Sequence, residues 1–241
     1  MRIIQNIAAG TLLAACFLSG ASFNGLAIWE RSDICYGFPI RVEYDPTVSK
    51  VLNEQKFDEK VMVAIEYRIL ETKLARDSNE TVVIAFNEGP SVDPVFTIYR
   101  KQADGTLEPY AYFGGCTLVV PGNGTVYTSG RVNNWFDVRQ KFEFTEAGKR
   151  TVKQPFNYVG MKTETLRPIT LYLEPGSTEA VEQVPERAEI EILLNKPDTS
   201  DYLIRTAFGI VGWFHQDMED IGGTEGFPGS RDIKGLCFMG D

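Results

Sequence analysis

The histidine chemistry of this chain depends on one residue. His215 is the only histidine and lies in the segment WFHQDMED (213–220), beside three carboxylates. Such a composition suits a metal site or an acid–base pair, although a solvated loop with an incidental histidine is more common. A single histidine excludes the H-E-x-x-H zinc helix, a multi-histidine metal site and a two-histidine relay. We therefore predict no metal, no cofactor and no catalytic residue.

Other catalytic motifs are missing from the sequence. It contains no G-x-S-x-G nucleophile elbow, no G-x-x-x-x-G-K-[ST] phosphate loop and no G-x-G-x-x-G after a strand. Glycoside hydrolysis needs two carboxylates that meet in space, and sequence alone cannot show such a meeting. A carboxylate-dependent hydrolase stays an alternative. Its candidate carboxylates are scattered singly along the sequence, at Glu71, Asp77, Asp93, Asp104, Asp137 and Glu143.

Aromatic residues supply a second candidate surface. If these side chains are exposed, they form a platform for a carbohydrate or a peptide. If they are buried, they form the core of the sandwich, which is the better prediction for most of them. Trp135 and Phe136 are adjacent, so a strand sends them to opposite faces and leaves one exposed. The aromatics concerned are Tyr99, Tyr110, Tyr112, Phe113, Tyr127, Trp135 and Phe136. With two nearby turns, the candidate binding residues are Phe113, Gly114, Gly115, Asn123, Trp135 and Phe136.

The N-terminus has the pattern of a secretory signal. Arg2 is the only charged residue before Glu30, and residues 7–21 are an apolar run followed by small residues. We predict a signal peptide over residues 1–27, with cleavage near Ala21 or Ala27, and a secreted or periplasmic protein with no transmembrane segment in the mature chain. A minority interpretation is a lipobox at LAAC (13–16), with a lipid anchor on Cys16.

Charge and cysteine content restrict the partners and the compartment. The formal net charge of −9 and the absence of Lys and Arg clusters argue against a nucleic-acid partner. An exported chain without Cys16 keeps Cys35, Cys116 and Cys237. In an oxidising compartment we predict one disulfide among these three, with the pairing left open and Cys237 favoured as a member.

Alternation with a period of two dominates the chain and predicts an all-β fold. The clearest strands are 38–44 and 61–69, and turn residues separate nine further candidates between 81 and 194, among them 117–120, 169–173 and 188–194. Many short strands at this spacing predict an antiparallel β-sandwich with additional strands and an irregular C-terminal tail. Helix is expected only in patches, at 57–60 or near 72–77.

The predicted organisation has three parts after the signal. They are a β-sandwich domain at 28–174, a linker or long loop at 175–187, and a C-terminal hairpin with an irregular tail at 188–241. The acidic, proline-containing composition of 174–187 suggests the linker. The hairpin competes with a helix whose apolar face includes Leu203 and Phe214, but Gly209 and Gly212 weaken that helix.

From 61 to 159 the order of features resembles a family of immunoglobulin-like domains. The features include the segment PVFTIY (94–99), the turn LVVPG (118–122) and the strand EAGKRTV (146–152). The segment is similar to the pro-domains of deuterolysin-type proteases and to BsuPI-type proteinase inhibitor domains. The resemblance implies an immunoglobulin-like sandwich of the binding type, with protease inhibition as one alternative, and it carries over no catalytic residue.

The function that we predict is an exported, non-enzymatic β-sandwich that binds another protein or an extracellular polymer. The strand pattern and the missing catalytic motifs support it. The alternatives are a secreted or periplasmic protease inhibitor and a carboxylate-dependent hydrolase.

Overall fold

The computed structural model of the chain describes residues 24–35, 38–57, 65–88, 93–145, 148–224 and 227–240. Every regular element in these ranges is a β-strand. The all-β fold class predicted from the sequence is therefore confirmed. None of the described residues belongs to a helix long and apolar enough to cross a membrane. Most of the predicted signal, residues 1–23, lies outside the described residues.

The first eleven strands form two sheets. One sheet has the order β1-β2-β8-β9-β10-β11, and the other is a meander with the order β3-β4-β5-β6-β7. In chain order, β1 to β11 are Ala27–Arg31, Ile40–Tyr44, Lys50–Phe57, Ile65–Thr72, Val82–Glu88, Pro94–Lys101, Leu107–Gly114, Thr117–Val120, Thr125–Gly130, Val138–Thr145 and Gly148–Thr151.

These two sheets share one hydrophobic core and form a sandwich. Ile40 and Val42 of β2 alternate with more polar residues and are buried with Ile84 and Phe86 of β5. Most strand pairs are antiparallel, but β2 pairs with β8 in parallel. Parallel neighbours need a long crossover connection. The meander of β3 to β7 is the connection between β2 and β8. The sandwich is thus established, and its finer immunoglobulin-like topology stays a prediction.

The remaining strands form a six-stranded sheet outside the sandwich, which we call the second sheet, with the order β12-β15-β16-β17-β13-β14, and a separate hairpin of β18 and β19. Residues Glu189 to Thr206 contain the predicted hairpin, as β15 paired with β16, and not the competing helix. In chain order, β12 to β19 are Asn157–Glu164, Ile169–Tyr172, Ala180–Val184, Glu189–Asn195, Asp201–Thr206, Val211–His215, Ile221–Thr224 and Phe227–Ser230.

One face of the second sheet packs on a core of its own. Ile192 and Ile204 lie at its centre with no exposed surface. The sandwich contributes Phe136, from the connection between β9 and β10, and the C-terminal tail contributes Ile233 and Leu236. This core therefore needs residues from both the sandwich and the tail.

The structure differs from the predicted organisation in the region 175–187. Part of this stretch is β14, which pairs with β13 and buries Val184. Strands before and after the stretch belong to the same sheet, so the chain changes from the sandwich to the second sheet between β11 and β12 instead. Glutamate and proline residues protect an edge strand from pairing further, and the same residues are typical of a linker.

The predicted helical patch near 72–77 and the predicted irregular tail also differ from the structure. Residues 73–77 form a turn and an isolated bridge rather than a helix, and most of the patch at 57–60 lies outside the described residues. The tail contains the β18–β19 hairpin, and its last residues are fixed by bridges between Gly229 and Cys237 and between Asn134 and Met239. The tail is thus more ordered than its glycine content indicates.

Candidate functional site

Exposed apolar surface is concentrated on the second sheet and its loops. Among the described residues, eight of the eleven large hydrophobic side chains with high exposure lie there, so this part of the molecule is where an apolar partner would bind. The eight are Phe156, Tyr158, Leu166, Leu173, Val181, Phe208, Val211 and Met218.

The outer face of the second sheet carries a continuous row of apolar side chains. Tyr202 and Ile204 point into the core, so Leu203 between them points outward. The register places one outward residue of each neighbouring strand in line with Leu203, across five strands. We call this row the outer strip; it consists of Tyr158, Leu194, Leu203, Trp213 and Tyr172, all half-buried or exposed.

Aromatic contacts hold the outer strip in place. The ring of Trp213 has its centroid 6.0 Å from that of Phe156, with an interplanar angle of 41°. The guanidinium of Arg139 lies 4.9 Å from the ring centroid of Tyr158, a cation–π contact that fixes the tyrosine. Tyr158 and Phe156 nevertheless stay 51% and 41% exposed, so their rings are available to a partner.

A histidine–aspartate pair borders the outer strip. His215 and Asp201 are directly opposite each other on β17 and β16, and Nδ1 of the imidazole lies 2.8 Å from Oδ1 of the carboxylate. The Asp201 side chain is 12% exposed, whereas that of His215 is 64% exposed. A nearly buried carboxylate thus orients an imidazole whose other side faces solvent, where it can exchange hydrogen bonds with a bound molecule.

This geometry corrects the interpretation of His215 as part of a solvated loop. The residue lies in a strand, and its partner is 14 residues earlier in the chain. The neighbouring acids have other roles: Asp217 accepts from the Glu219 backbone N–H at 2.8 Å, and Asp220 bonds to Arg167. Sequence reasoning missed Asp201 because β17 was not predicted, and only the β16–β17 register brings the two side chains together.

Beyond the other side of the outer strip lies an open groove of about 850 Å³. We call it the charged groove, after the six ionisable side chains that line it: Lys162, Glu164, Glu189, Glu191, Arg205 and Lys234. The next outward row after the strip supplies three of them, Lys162, Glu191 and Arg205, which are neighbours in the register. The strip and the groove are therefore adjacent parts of one surface.

Ion pairs use four of the six groove charges. Nζ of Lys234 lies 2.7 Å from Oε1 of Glu164, and Arg205 bonds to Glu191. The hydrogen bond from Lys234 lowers the pKa of Glu164, which keeps this carboxyl ionised at neutral pH. Within the described ranges, the side chains of Lys162 and Glu189 have no hydrogen bond or ion pair, so these two are the charges available to a ligand.

Two of the six predicted binding residues are buried and cannot form a contact surface. Phe113 is 2% exposed, and its ring packs edge-on against Phe142 with centroids 4.8 Å apart. Phe136 is 4% exposed and packs against Tyr202 in the second core. Their apolar rings gain more from burial than from a place at the surface, so both predictions are corrected.

The other four predicted residues occupy turns and a junction. Gly115 is required by close packing, because a Cβ atom there would lie 2.8 Å from the Ser129 carbonyl oxygen. Asn123 is exposed, but its Oδ1 accepts hydrogen bonds from Thr125. Trp135 is half-buried against Phe238, and Gly114 is exposed at the end of β7. The structure does not bring them together with the outer strip.

The three described cysteines are not joined by a disulfide. Cys35 is buried, Cys116 and Cys237 are half-buried, and the described part of the protein contains no disulfide, so the predicted bridge is not formed. Cys35 and Cys116 contact the sandwich core, whereas Cys237 lies in the tail. No group of three potential metal ligands occurs among the residues that the structure describes.

Three of the six scattered acids have partners close to them. Lys101 donates to Glu71 at 2.6 Å, and Arg150 bonds to Glu143. Asp104 accepts from Thr106 within its own turn. These three acids therefore stabilise turns and strand pairs.

Comparison with protein-family models, with curated protein sequences and with solved structures finds no match to this chain.

Proposed function

We propose that the protein is an exported, non-enzymatic binding protein whose outer strip holds another protein or an extracellular polymer. The observation that carries this proposal is the row of half-buried and exposed apolar side chains across five strands, with Trp213 within it. Exposed apolar patches with polar borders mark interaction sites. Tryptophan and tyrosine, which contribute most to binding at such sites, provide three of the five strip residues.

The charges around the outer strip favour binding over hydrolysis. A glycosidase needs a carboxylic acid with a raised pKa to protonate the leaving oxygen. In the charged groove, Lys234 instead lowers the pKa of Glu164, and Arg205 neutralises Glu191. Side chains held in this way can orient a ligand through hydrogen bonds without taking part in chemistry.

Export remains part of the proposal and rests on the signal-like N-terminus. Cleavage after Ala21 leaves β1 whole, whereas cleavage after Ala27 removes its first residue. Trp29 of β1 is buried in the sandwich core, so we favour Ala21. N-terminal sequencing of the exported protein distinguishes the two positions, and recovery of the protein with Met1 intact from the cytosol argues against export.

Retention on a panel of probes tests the binding function. Purified protein is offered insoluble cellulose, chitin and peptidoglycan, and a phage-displayed library of random linear peptides. We expect retention by at least one probe, and a loss of tenfold or more with Trp213→Ala, since a central tryptophan contributes about 2 kcal/mol or more. Tyr158→Ala replaces an exposed residue of the same strip, so a loss of retention with this variant cannot be attributed to misfolding.

Tyr112→Ala is the matched control, because Tyr112 is 58% exposed but lies on β7 of the sandwich. It should bind as the unchanged protein does. Retention that depends on Tyr112 and not on Trp213 would place the site elsewhere. Hydrolysis of a glycan or peptide that disappears when an acidic residue is replaced would make the protein an enzyme.

A further inference from the structure

The aliphatic share of the exposed surface distinguishes one class of partner from another. Leu194 and Leu203 lie in the middle of the outer strip, and Val211, on the same face of β17 as Trp213, is 41% exposed. Sugar rings stack on flat aromatic faces, but branched aliphatic side chains offer no such face. An apolar centre of mixed aromatic and aliphatic residues with a charged border is instead the composition of a protein interface.

The two available groove charges have a spacing that suits an extended peptide. Lys162 is opposite Glu191 in the register, and Glu189 lies two residues further along β15, so the two side chains are diagonal neighbours about 7–8 Å apart. Alternate residues of an extended chain share a face and repeat every ~6.8 Å. An acidic and a basic residue two positions apart in a partner therefore match Lys162 and Glu189.

The order of these features along the second sheet adds a third position. Moving along β15 from the outer strip, the outward side chains pass from Leu194 to the Glu191 row, where Lys162 lies, and then to Glu189. A chain laid parallel to β15 meets an apolar surface, then a free cation, then a free carboxylate. Its complement is an apolar, an acidic and a basic residue at alternate positions.

We infer that the outer strip and the charged groove bind an extended polypeptide segment with this alternating pattern, in either chain direction. The inference rests on the proposed binding function and deepens it by naming the partner class. The apolar side chain packs on the outer strip at Leu194, between Tyr158 and Leu203. The acidic side chain pairs with Lys162, and the basic side chain pairs with Glu189.

Selection from random peptides tests the pattern. Purified protein is used to select phage-displayed linear peptides, and synthetic versions are measured by fluorescence anisotropy. We expect the selected peptides to share the apolar, acidic and basic positions, and Tyr158→Ala, next to Leu194 in the register, to weaken their binding at least tenfold. Tyr112→Ala serves as the control and should bind unchanged.

A charge exchange isolates the groove. Lys162→Glu should lower the affinity for the selected peptide about fivefold, the range of an exposed ion pair. A peptide with its acidic residue changed to lysine should restore the affinity. Glu189→Lys should act in the same way on the basic position. Both residues are exposed at the surface, so these variants should fold.

The outcomes separate this inference from the proposed function. Selected peptides without the pattern, or no change with Lys162→Glu and Glu189→Lys, overturn the inference. Failure to select any peptide, combined with Trp213-dependent retention on a polysaccharide, also overturns it but leaves the proposed function standing. Retention by neither peptides nor polysaccharides overturns both.

Discussion

Asp45 is a buried carboxylate that holds a turn of the sandwich. It accepts hydrogen bonds from the backbone N–H and the hydroxyl of Thr47, at 2.9 and 2.7 Å, and from Arg76. Burial disfavours its charge, but the bonds from Thr47 and Arg76 outweigh burial and lower the pKa of Asp45. Its contribution to stability is therefore present at neutral pH and is lost as the pH falls below the unfolded pKa of about 4 and through the folded one.

We expect Asp45→Asn to lower the free energy of unfolding by about 1–3 kcal/mol at pH 7, because charge-assisted bonds are lost in a buried place. The difference from the unchanged protein should shrink as the pH falls below about 4. Urea unfolding at several pH values measures both effects. Asp104→Asn is the control: Asp104 makes the same bonds to Thr106 in an exposed turn, and an equal loss there would contradict the importance of burial.

Gly130 and Gly114 are glycines with opposite surroundings. A Cβ atom on Gly130 would lie 2.5 Å from the Cα of Gly115 and 2.6 Å from the N of Cys116, both backbone atoms. A Cβ atom on Gly114 would meet Val132 at an ordinary 3.7 Å. The first position has no room for a side chain, and the second has.

Gly130→Ala should therefore destabilise the protein by about 1–3 kcal/mol, the usual cost of overpacking. Gly114→Ala should change stability by less than about 0.5 kcal/mol. Thermal unfolding followed by circular dichroism compares them. Equal midpoints for the two variants would show that the β7–β8 turn is less closely packed against β9 than the structure has it.

At the scale of elements, strands with clean alternation were predictable and strands hidden by composition were not. Thr117 to Val120 was predicted with both ends right, and 169–173 and 188–194 within one or two residues. β14 was missed because its edge position favours glutamate and proline, as a linker does. β17 was not predicted, because Gly212 was used only as evidence against a helix, whereas in the structure this glycine leaves space for Leu171.

The same limit explains the candidate site. The sequence indicated that aromatic residues either contact a ligand or fill the core. It placed the candidate binding residues in the sandwich. The outer strip consists of one residue from each of five strands, so it exists only when the strand order is known. The order β12-β15-β16-β17-β13 is not the chain order, and no spacing in the sequence encodes it.

β14 provides a direct test of strand against linker. Val184 is 2% exposed on its inner side, whereas Val181 is 39% exposed. Val184→Asp should destabilise the protein by about 3 kcal/mol or more, because an unpaired charge enters the core. Val181→Asp should be tolerated. Thermal unfolding of the two variants decides, and equal tolerance would mean that 180–184 is a linker after all.

At the scale of the whole molecule, the connection between β9 and β10 joins the two cores. Arg131 donates from Nη2 to the Trp135 carbonyl at 2.7 Å, and this connection carries Phe136 into the core of the second sheet. The Asn134 N–H and the Met239 N–H donate to each other's carbonyls at 3.2 and 3.0 Å. The sandwich, the tail and the second sheet therefore stabilise one another.

Phe136→Ala should reduce the free energy of unfolding by about 3–5 kcal/mol, the range for a phenylalanine truncated in a core. Phe156→Ala removes an equal volume from a ring that is 41% exposed and should cost much less. Urea unfolding monitored by tryptophan fluorescence measures both. A Phe136→Ala protein as stable as the Phe156→Ala protein would show that the second core does not depend on the sandwich.

The outer face of the second sheet is the proposed binding surface. Oxidative footprinting of the protein, alone and bound to a probe that retains it, measures which side chains binding covers. We expect binding to protect Trp213, Tyr158 and Leu203 from oxidation and to leave Tyr112 unchanged. Protection of Tyr112 or of the turn at Asn123, with full oxidation of Trp213, would contradict this proposal.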